Sequence, residues 1–346
     1  MRKFLSKIMK VLVTGNQGYV GSVITENLIS QNFEVLGYDV NYFPQNFKQI
    51  KNKIETINKD IRDITKEDIE GCDAIIHLAA LSNDPLGEID SSLTNEINFL
   101  ATIRLAKLAK EIGIERFVFS SSCSIYGASK DIVDESSPME PLTAYAKSKV
   151  ESEKELLKLK DNNFCPTILR NATVYGISPS QRLDLVVNNL VGSAIVSNKI
   201  HLMSDGTSWR PLLHVEDMAA AFIHVLKSPK EVVSGAIFNV GKNEENYTVI
   251  EIAEKIKKII PGTELEFADQ ASKDKRSYRV NFDKIKNELG FIPSWKLDDG
   301  IKQVYEALSE KQITKESFKD KTYFRMAFLT WLLEKKKVNS SLRFHN

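Results

Sequence analysis

Cysteine is scarce in this chain. Three occur among the 346 residues, at Cys72, Cys123 and Cys165. Their number is odd and no two stand in the C-x-x-C spacing, which argues against a disulfide framework and against a zinc site. Because unpaired thiols suit a reducing compartment, we expect a cytoplasmic protein that holds no structural metal.

An excess of one charge and long apolar runs are also missing. The 47 Lys and Arg residues stand against 46 Asp and Glu, and a formal net charge of +1 gives no basic field for nucleic acid. No apolar run reaches the roughly 20 residues that a bilayer span needs. With 42% hydrophobic residues and no internal repeat, the sequence predicts a globular protein that neither binds nucleic acid nor spans a membrane.

What the first half does contain is an alternation of short apolar runs with segments of helical period. Strands bounded by Gly, Asp or Ser are predicted at Lys10–Thr14, Phe33–Tyr38, Asp73–Leu78, Arg116–Ser120 and Pro166–Thr173. Helices are predicted at Val20–Ser30, Asn95–Ile112 and Thr143–Lys160. Such alternation predicts an α/β fold, a doubly wound parallel sheet with helices on both faces.

The pattern loosens after residue 176. We predict a main domain over 1–176 and a smaller C-terminal lobe mainly over 177–308, with some segments returning to the sheet. The predicted helices of this part are Leu183–Val196, Thr248–Ile260 and Leu297–Leu308. In the tail, 309–346, the apolar run Tyr323–Leu333 favours a helix packed on the body over a subunit contact.

Glycines follow the first predicted strand and open the first helix. They permit close backbone approach, and a helix N-terminus favours anions. Their spacing, G-x-x-G-x-x-G, is wider than the standard dinucleotide fingerprint. The second strand leads to Asp39, whose carboxylate would bind the adenosine ribose hydroxyls and repel a 2′-phosphate, so we predict NAD, not NADP, as the cofactor. The predicted contacts in the turn are Gly15, Gly18, Tyr19, Val20 and Gly21.

Other strand ends fit the same cofactor. Asp60 follows a short strand-like segment and could accept a hydrogen bond from the adenine amino group, with Ile61 beside it. Leu78, Ala79 and Ala80 end the next strand, where a cofactor backbone could pass. We expect all of these positions at the carboxyl edge of the sheet, where ligands of such folds bind.

A candidate catalytic pair follows. Tyr145 and Lys149 are four residues apart, so on a helix they share a face. A free tyrosine titrates near about pH 10, and a neighbouring ammonium favours the phenolate, which makes a general base for a sugar hydroxyl. The strand before them ends in a hydroxyl cluster, from which Ser122 could bridge the substrate hydroxyl and Tyr145.

Taken together, these motifs resemble the extended short-chain dehydrogenase/reductases and, among them, the NAD-dependent epimerase/dehydratase family that acts on nucleotide sugars. The resemblance spans about residues 10–308. It is carried by the glycine turn, Asp39, Asp60-Ile61-Arg62-Asp63, His77-Leu78-Ala79-Ala80, Ser120-Ser121-Ser122, Tyr-x-x-x-Lys and Arg170-Asn171-Ala172-Thr173-Val174-Tyr175-Gly176. It implies a Rossmann domain and a catalytic set of Ser122, Tyr145 and Lys149. It also places Asn98, Ser120, Tyr145 and Lys149 beside the cofactor.

The resemblance also implies a nucleotide-diphosphate sugar as substrate. Arg210 matches the arginine that binds the diphosphate, a role that suits the planar guanidinium. Asp274-Lys275-Arg276-Ser277-Tyr278 resembles a late D-x-R-x-Y element, which makes Arg276 a second cation, whereas His214 and Asp217 are expected to be structural. The implied substrate contacts are Ser122, Thr173, Asn189, Leu190, Arg210 and Arg276.

Two departures from the family pattern bear on the reaction. The 4,6-dehydratases typically carry Asp-Glu directly after the catalytic hydroxyl residue, and here those positions are Cys123 and Ser124. Many relatives have Asn where Thr173 stands, which leaves the sugar open. A nucleotide-sugar 4-epimerase is therefore the leading hypothesis, and a 4,6-dehydratase or a non-catalytic NAD-binding protein is less favoured.

The alternative is a 4-dehydrogenase or 4-ketoreductase. The stretch from Gly176 to Asn188 is similar to hexose- or heptose-modifying enzymes of surface-polysaccharide pathways. Because relatives commonly pair through a four-helix interface, we expect a homodimer formed by Asn95–Ile112 and Thr143–Lys160.

Overall fold

The computed structural model describes residues 8–50, 52–82, 90–272 and 276–345, without the side chains of 269–272. Its strands are β1 (Lys10–Thr14), β2 (Glu34–Asp39), β3 (Thr56–Asn58), β4 (Ala74–His77), β5 (Arg116–Ser122), β6 (Ala128–Val133), β7 (Cys165–Asn171), β8 (Thr173–Tyr175), β9 (Lys199–Ser204), β10 (Trp209–His214), β11 (Ile237–Val240), β12 (Asn246–Thr248), β13 (Glu264–Ser272) and β14 (Ser277–Val280).

The helices begin with α1 (Tyr19–Ser30) behind the glycine turn. They continue with α2 (Ser91–Asn95), α3 (Ala101–Glu111), α4 (Ala144–Leu159), α5 (Val186–Ser197), α6 (Val215–Lys227), α7 (Lys230–Val233), α8 (Val249–Ile259), α9 (Asp283–Leu289), α10 (Leu297–Glu310), α11 (Lys315–Phe318) and α12 (Arg325–Glu334). Within the described ranges, no helix is both long and apolar enough to cross a membrane.

Seven strands form one sheet in the order β11-β7-β5-β4-β1-β2-β3, and every pairing in it is parallel. Side chains of β1 alternate between the two faces: Val11 and Val13 join one apolar cluster, and Leu12 joins the other. The first cluster includes residues of α1 and α6, and the second includes residues of α3 and α12. The predicted Rossmann-like doubly wound fold is confirmed.

A third apolar cluster forms the core of the smaller lobe. It is built from α5, α8 and α10, through residues such as Val191, Ile256 and Val304, which are fully buried. The strands of this lobe make small sheets, β12-β10-β8 and β13-β9. In contrast, α6 and β11 return to the main sheet. The two parts therefore meet at the carboxyl edge, beside the ends of β5 and β7.

Two elements differ from their predicted form. The predicted strand Pro166–Thr173 is two strands, because Thr173 leaves β7 and pairs with Leu212 of β10 in the smaller lobe. The predicted helix Asn95–Ile112 contains a π-helical turn, Glu96–Leu100, whose buried Asn98 bonds to a neighbouring segment. The homodimer expected through this region stays a prediction.

The tail folds back on the main domain. Phe328 and Leu329 of α12 are buried in the cluster that covers one face of the sheet, together with Val338 and Leu342 further on. The hydroxyl of Tyr42, three residues beyond β2, donates to the backbone carbonyl of Leu342. The tail is thus placed against the segment that follows β2, next to the predicted cofactor site.

Candidate active site

One cavity of about 450 Å³ runs along the carboxyl edge of the sheet. Its wall takes in residues that follow β1, β2, β3 and β4 and residues at the ends of β5 and β7. Among the predicted residues, those that line it are Gly15, Gly18, Tyr19, Val20, Gly21, Asp39, Asp60, Ile61, Leu78, Ala79, Ala80, Ser120, Ser122, Tyr145, Lys149, Thr173, Arg210 and Arg276.

The glycine turn is tightly folded. Gly15 has φ +74°, and a β-carbon there would lie 2.9 Å from the backbone nitrogen of Ala79. A β-carbon on Gly21 would lie 1.9 Å from the carbonyl oxygen of Gly15. Since side chains at these two positions would clash with backbone, the turn can bring α1 directly behind β1. The resulting helix N-terminus in a cavity wall suits a diphosphate.

Asp39 stands at the end of β2 beside this turn. Its Oδ2 accepts the backbone N–H of Gln17 at 2.9 Å, and its Oδ1 accepts that of Asn41 at 2.7 Å. Burial raises the pKa of Asp39, although these two bonds and the charge of Arg325 oppose the rise. The carboxylate is therefore held in place with lone pairs left for ribose hydroxyls.

Replacing Asp39 with Asn should weaken the preference for NAD over NADP about tenfold. Repulsion between a carboxylate and a 2′-phosphate at contact distance is worth about 1–4 kcal/mol, and the substitution removes it. The measurement is the ratio of the dissociation constants for NADH and NADPH. Asp60→Asn is the matched control because Arg62 already binds the Asp60 carboxylate, at 2.6 and 3.0 Å, and an unaltered ratio for Asp39→Asn would refute the contact.

Tyr145, Lys149 and Ser122 meet in the same cavity. The ammonium of Lys149 donates to the carbonyl oxygen of Ser120 at 2.7 Å and lies 5.7 Å from the centre of the Tyr145 ring. Ser122 ends β5, and its Oγ accepts the backbone N–H of Ser124 at 3.1 Å. That hydroxyl keeps its own hydrogen for donation. A phenol, an ammonium and a hydroxyl are thus placed around one space.

Lys149 is 4% exposed, and this burial lowers its pKa to about 7, while Glu153 one turn later on α4 opposes the shift. A perturbed lysine in a cavity wall is typical of a functional site. Because burial disfavours the charged ammonium, nearby negative charge helps to keep Lys149 protonated.

The shifted lysine predicts a pH-dependent stability. Between pH 7 and 10.5 the unfolded chain holds a proton on Lys149 that the folded chain lacks, so raising the pH through this window favours the folded state. The free energy of unfolding of the wild type, relative to Lys149→Met, should rise with a slope of up to about 1.4 kcal/mol per pH unit. Urea titrations across the window measure it. A difference that stays flat with pH would contradict the lowered pKa.

A buried ion pair lies beneath the catalytic helix. Glu153 accepts from Arg170 of β7 at 2.7 and 3.1 Å and also from the hydroxyl of Ser121. Arg170 donates further to the Tyr126 hydroxyl at 2.9 Å. The side chains of Glu153 and Arg170 are 2% and 3% exposed. This network joins α4 to β5 and β7, and so fixes the helix that carries Tyr145.

Three predicted residues do not line the cavity. Asn98 lies behind the wall: its Oδ1 accepts the backbone N–H of Leu81 at 2.8 Å, and its Nδ2 donates to Ser148 at 3.3 Å. It thereby connects the segment after β4 to the catalytic helix. Asn189 donates to the carbonyl of Leu183 at 2.7 Å, and Leu190 is buried in the core of the smaller lobe.

The remaining predicted residues lie at β10, at the start of α6 and next to β14. His214 caps α6, accepts from Glu216 and stacks on Trp295 at 3.9 Å, and Asp217 accepts two backbone N–H groups from Ser294 and Trp295, so both have structural contacts. Asp274 and Lys275 lie outside the described residues. The Nη1 of Arg210 donates to the carbonyl oxygen of Arg276, which brings these two cations together at the cavity.

Sequence reasoning missed a charged group in the cavity wall. Arg182 pairs with Asp184 through two bonds of 2.8 and 3.0 Å, and Arg325 of α12 lies beside them. Burial opposes ionisation of Asp184, but the guanidinium of Arg182 outweighs it and holds the pKa below its ordinary value. The close Arg-x-Asp spacing gave a weak signal for the pair. Nothing local marked Arg325, since the tail carries no motif.

The chain is similar to known proteins along most of its length. Residues 11–241 match the model of the NAD dependent epimerase/dehydratase family. A putative UDP-glucose 4-epimerase of Methanocaldococcus jannaschii is 32% identical over 310 residues, covering 85% of this chain and 96% of that protein. The dTDP-D-glucose 4,6-dehydratase of Mus musculus is 28% identical, covering 86% of this chain and 88% of its own.

Solved structures show the same fold. The UDP-glucuronic acid 4-epimerase of Bacillus cereus, crystallised with UDP-glucuronic acid and NAD, superposes with a TM-score of 0.78 at 24% identity. The alignment covers 88% of this chain and 100% of that one, so this chain has residues without a counterpart there.

Proposed function

Because this chain belongs to the NAD-dependent epimerase/dehydratase family, we propose that it is a nucleotide-sugar 4-epimerase with NAD as its cofactor. The observation that carries the proposal is the convergence of Tyr145, Lys149 and Ser122 on a cavity that also holds the glycine turn and Asp39. One wall thus offers a dinucleotide site and a proton-transfer site together.

Each residue of the set has a role in the proposed reaction. Tyr145 takes the proton of the sugar's C4 hydroxyl, and Ser122 bridges that hydroxyl to the phenol. The charge of Lys149 stabilises the phenolate. NAD held by the glycine turn and Asp39 would supply the acceptor of the C4 hydride and its donor back to the other face of the 4-keto sugar, while Tyr145 returns the proton to the sugar oxygen. No net oxidation results, so the cofactor can stay bound.

The diphosphate of the sugar nucleotide needs cations at the other end of the pocket. Arg210 and Arg276 lie together at β10 and just before β14, and both line the cavity. Guanidinium groups match phosphate oxygens in shape and charge. Asp39 and Asp60 follow β2 and β3 at one end of the main sheet, whereas β10 pairs with β8, which follows β7 near the other end. This order separates the proposed substrate side from the proposed cofactor side.

The wall also argues against dehydration. Cys123 is fully buried and its thiol donates to the carbonyl oxygen of Arg170, and burial raises its pKa. Ser124 lines the cavity but carries no acid. The carboxylates that line the described part of the cavity are Asp39, Asp60 and Asp184, and each is already held by backbone N–H groups or by an arginine. An acid–base pair for eliminating water is therefore missing beside Ser122 in the described residues.

The proposal is tested by redox stoichiometry. One sample of the protein is denatured, and the small molecules that it releases are identified by mass spectrometry. A second, folded sample is then screened with UDP- and dTDP-linked sugars for the formation of new epimers. An epimerase yields the C4 epimer without net NADH absorbance. Stoichiometric NADH formation with release of a keto sugar, or NADH consumption with a 4-keto sugar, would assign the chain to the 4-dehydrogenases or 4-ketoreductases instead.

A further inference from the structure

Arg325, the first residue of α12, lines the cavity although it stands far beyond residue 241, where the family match ends. Its side chain is 2% exposed. Nη2 donates to the carbonyl oxygen and hydroxyl of Ser180 at 3.0 and 2.7 Å, whereas Nη1 is buried and has no hydrogen-bond partner among the described residues. A buried charged donor is costly to leave unpaired, so this atom indicates a ligand contact.

The nearby carboxylates do not fill that need. Asp184 is engaged by two bonds from Arg182 and by the backbone N–H of Arg325 at 3.2 Å. Asp39 accepts two backbone N–H groups. The ring of Phe43 lies 4.1 Å from the Arg325 guanidinium and fixes its plane. The guanidinium of Arg325 is thus held rigidly in the cavity wall, with Nη1 positioned to donate to a ligand.

The position of Arg325 selects an anion. Burial and the charge of Arg182 lower its pKa to about 9, and the negative charges of Asp184 and Asp39 oppose this, so added negative charge would stabilise the cation. A cation at a helix N-terminus also lies against the helix dipole unless an anion is present. The charge of Arg325 acts to lower the pKa of Asp39, and its guanidinium lies over the ring of Phe43, just after β2. Both interactions place Arg325 on the cofactor side.

We propose that Arg325 binds the diphosphate of the bound dinucleotide, so that the C-terminal tail supplies a cofactor contact from outside the family region. Arg210 and Arg276, which touch each other at the cavity, are the cations that the proposed function gives to the sugar nucleotide. Phe328 and Leu329, which bury α12 against the sheet, then couple packing of the tail to retention of the cofactor. A contact between Arg325 and the cofactor diphosphate does not depend on which sugar is the substrate.

The test measures ligand binding without turnover. Dissociation constants are determined by calorimetry for NADH, ADP and adenosine, on protein freed of cofactor. Arg325→Met should weaken NADH and ADP about tenfold to hundredfold and leave adenosine unchanged, because a hydrogen-bonded charge contact to phosphate is lost. Arg343→Met is the control, since Arg343 lies on the same tail, pairs with Asp63 and does not line the cavity.

Other outcomes would overturn the assignment. If Arg325 only holds the tail, Arg325→Met lowers the melting temperature of the cofactor-free protein and leaves the NADH and ADP constants unaltered. NADPH is measured in the same way, and a loss confined to NADPH would point to a 2′-phosphate instead of the diphosphate. Arg325→Lys, which keeps the charge without the fork, covers the case in which the Met variant does not fold, and it should weaken ADP while adenosine stays the same. Wild-type protein that binds adenosine as tightly as ADP would also refute the contact.

Discussion

Tyr145→Phe should lower kcat by a factor of about 10²–10⁴ and leave the affinity for NADH unchanged. The substitution removes one hydroxyl, and the loss is the typical contribution of a positioned general acid–base group. The ring still packs near the Lys149 ammonium, which lies 5.7 Å from its centre, so the wall of the cavity keeps its shape. Epimer formation under saturating sugar and calorimetric NADH binding together measure both halves of the expectation.

Tyr126→Phe is the matched control for this experiment. Tyr126 is buried, and its hydroxyl donates to Asn239 at 2.8 Å, but it does not line the cavity. That variant should lose stability and keep its turnover. If Tyr145→Phe turned over at the wild-type rate, Tyr145 would not be the base. If it lost NADH binding instead, the fall in turnover would reflect a lost cofactor contact and would not identify Tyr145 as the base.

Arg170→Met should reduce the free energy of unfolding by about 3–5 kcal/mol, because it leaves the Glu153 carboxylate buried without its partner. The double variant Glu153→Leu with Arg170→Met should recover most of that loss, since two apolar side chains replace the pair. Urea denaturation followed by tryptophan fluorescence measures all three proteins. A double variant no more stable than Arg170→Met would contradict the assignment of the loss to an unpaired charge.

The comparison pair for this cycle is Lys158 with Glu155 on the same helix. Their side chains are 70% and 37% exposed, so Lys158→Met should cost less than about 1 kcal/mol of the free energy of unfolding.

Variants of the buried pair should also change catalysis. Glu153 raises the pKa of Lys149, so its loss should leave Lys149 less protonated at neutral pH and move the alkaline limb of the rate profile downward.

The sheet was predictable because its strands are bounded by strong local signals. Lys10–Thr14 was predicted with the bounds that β1 has, and Arg116–Ser120 was extended by two residues in β5. The break between β7 and β8 was not predictable, since Thr173 pairs with a strand that follows almost forty residues later. Pairing between distant segments leaves no periodic trace in either one.

The residues of the candidate site also divide into those that short-range sequence patterns predict and those that they do not. The glycine turn, Asp39 and the Tyr145–Lys149 pair depend on short-range spacing, and the structure brings all of them to one cavity. Arg325 depends on how a distant tail packs, and its sequence neighbourhood is an apolar run that carries no motif. Asn98 is a different case. The family resemblance predicted Asn98 beside the cofactor, whereas its side-chain amide forms hydrogen bonds with Leu81 and Ser148.

Deuterium at C4 of the sugar gives the most direct test of the proposed reaction. The nucleotide sugar that the screen identifies is labelled there and converted in ordinary water, and the epimer is analysed by mass spectrometry and NMR. Transient oxidation with return of the same hydride predicts that the product keeps the deuterium at C4. Replacement of the label by solvent hydrogen, or its accumulation in released NADH, would contradict the account.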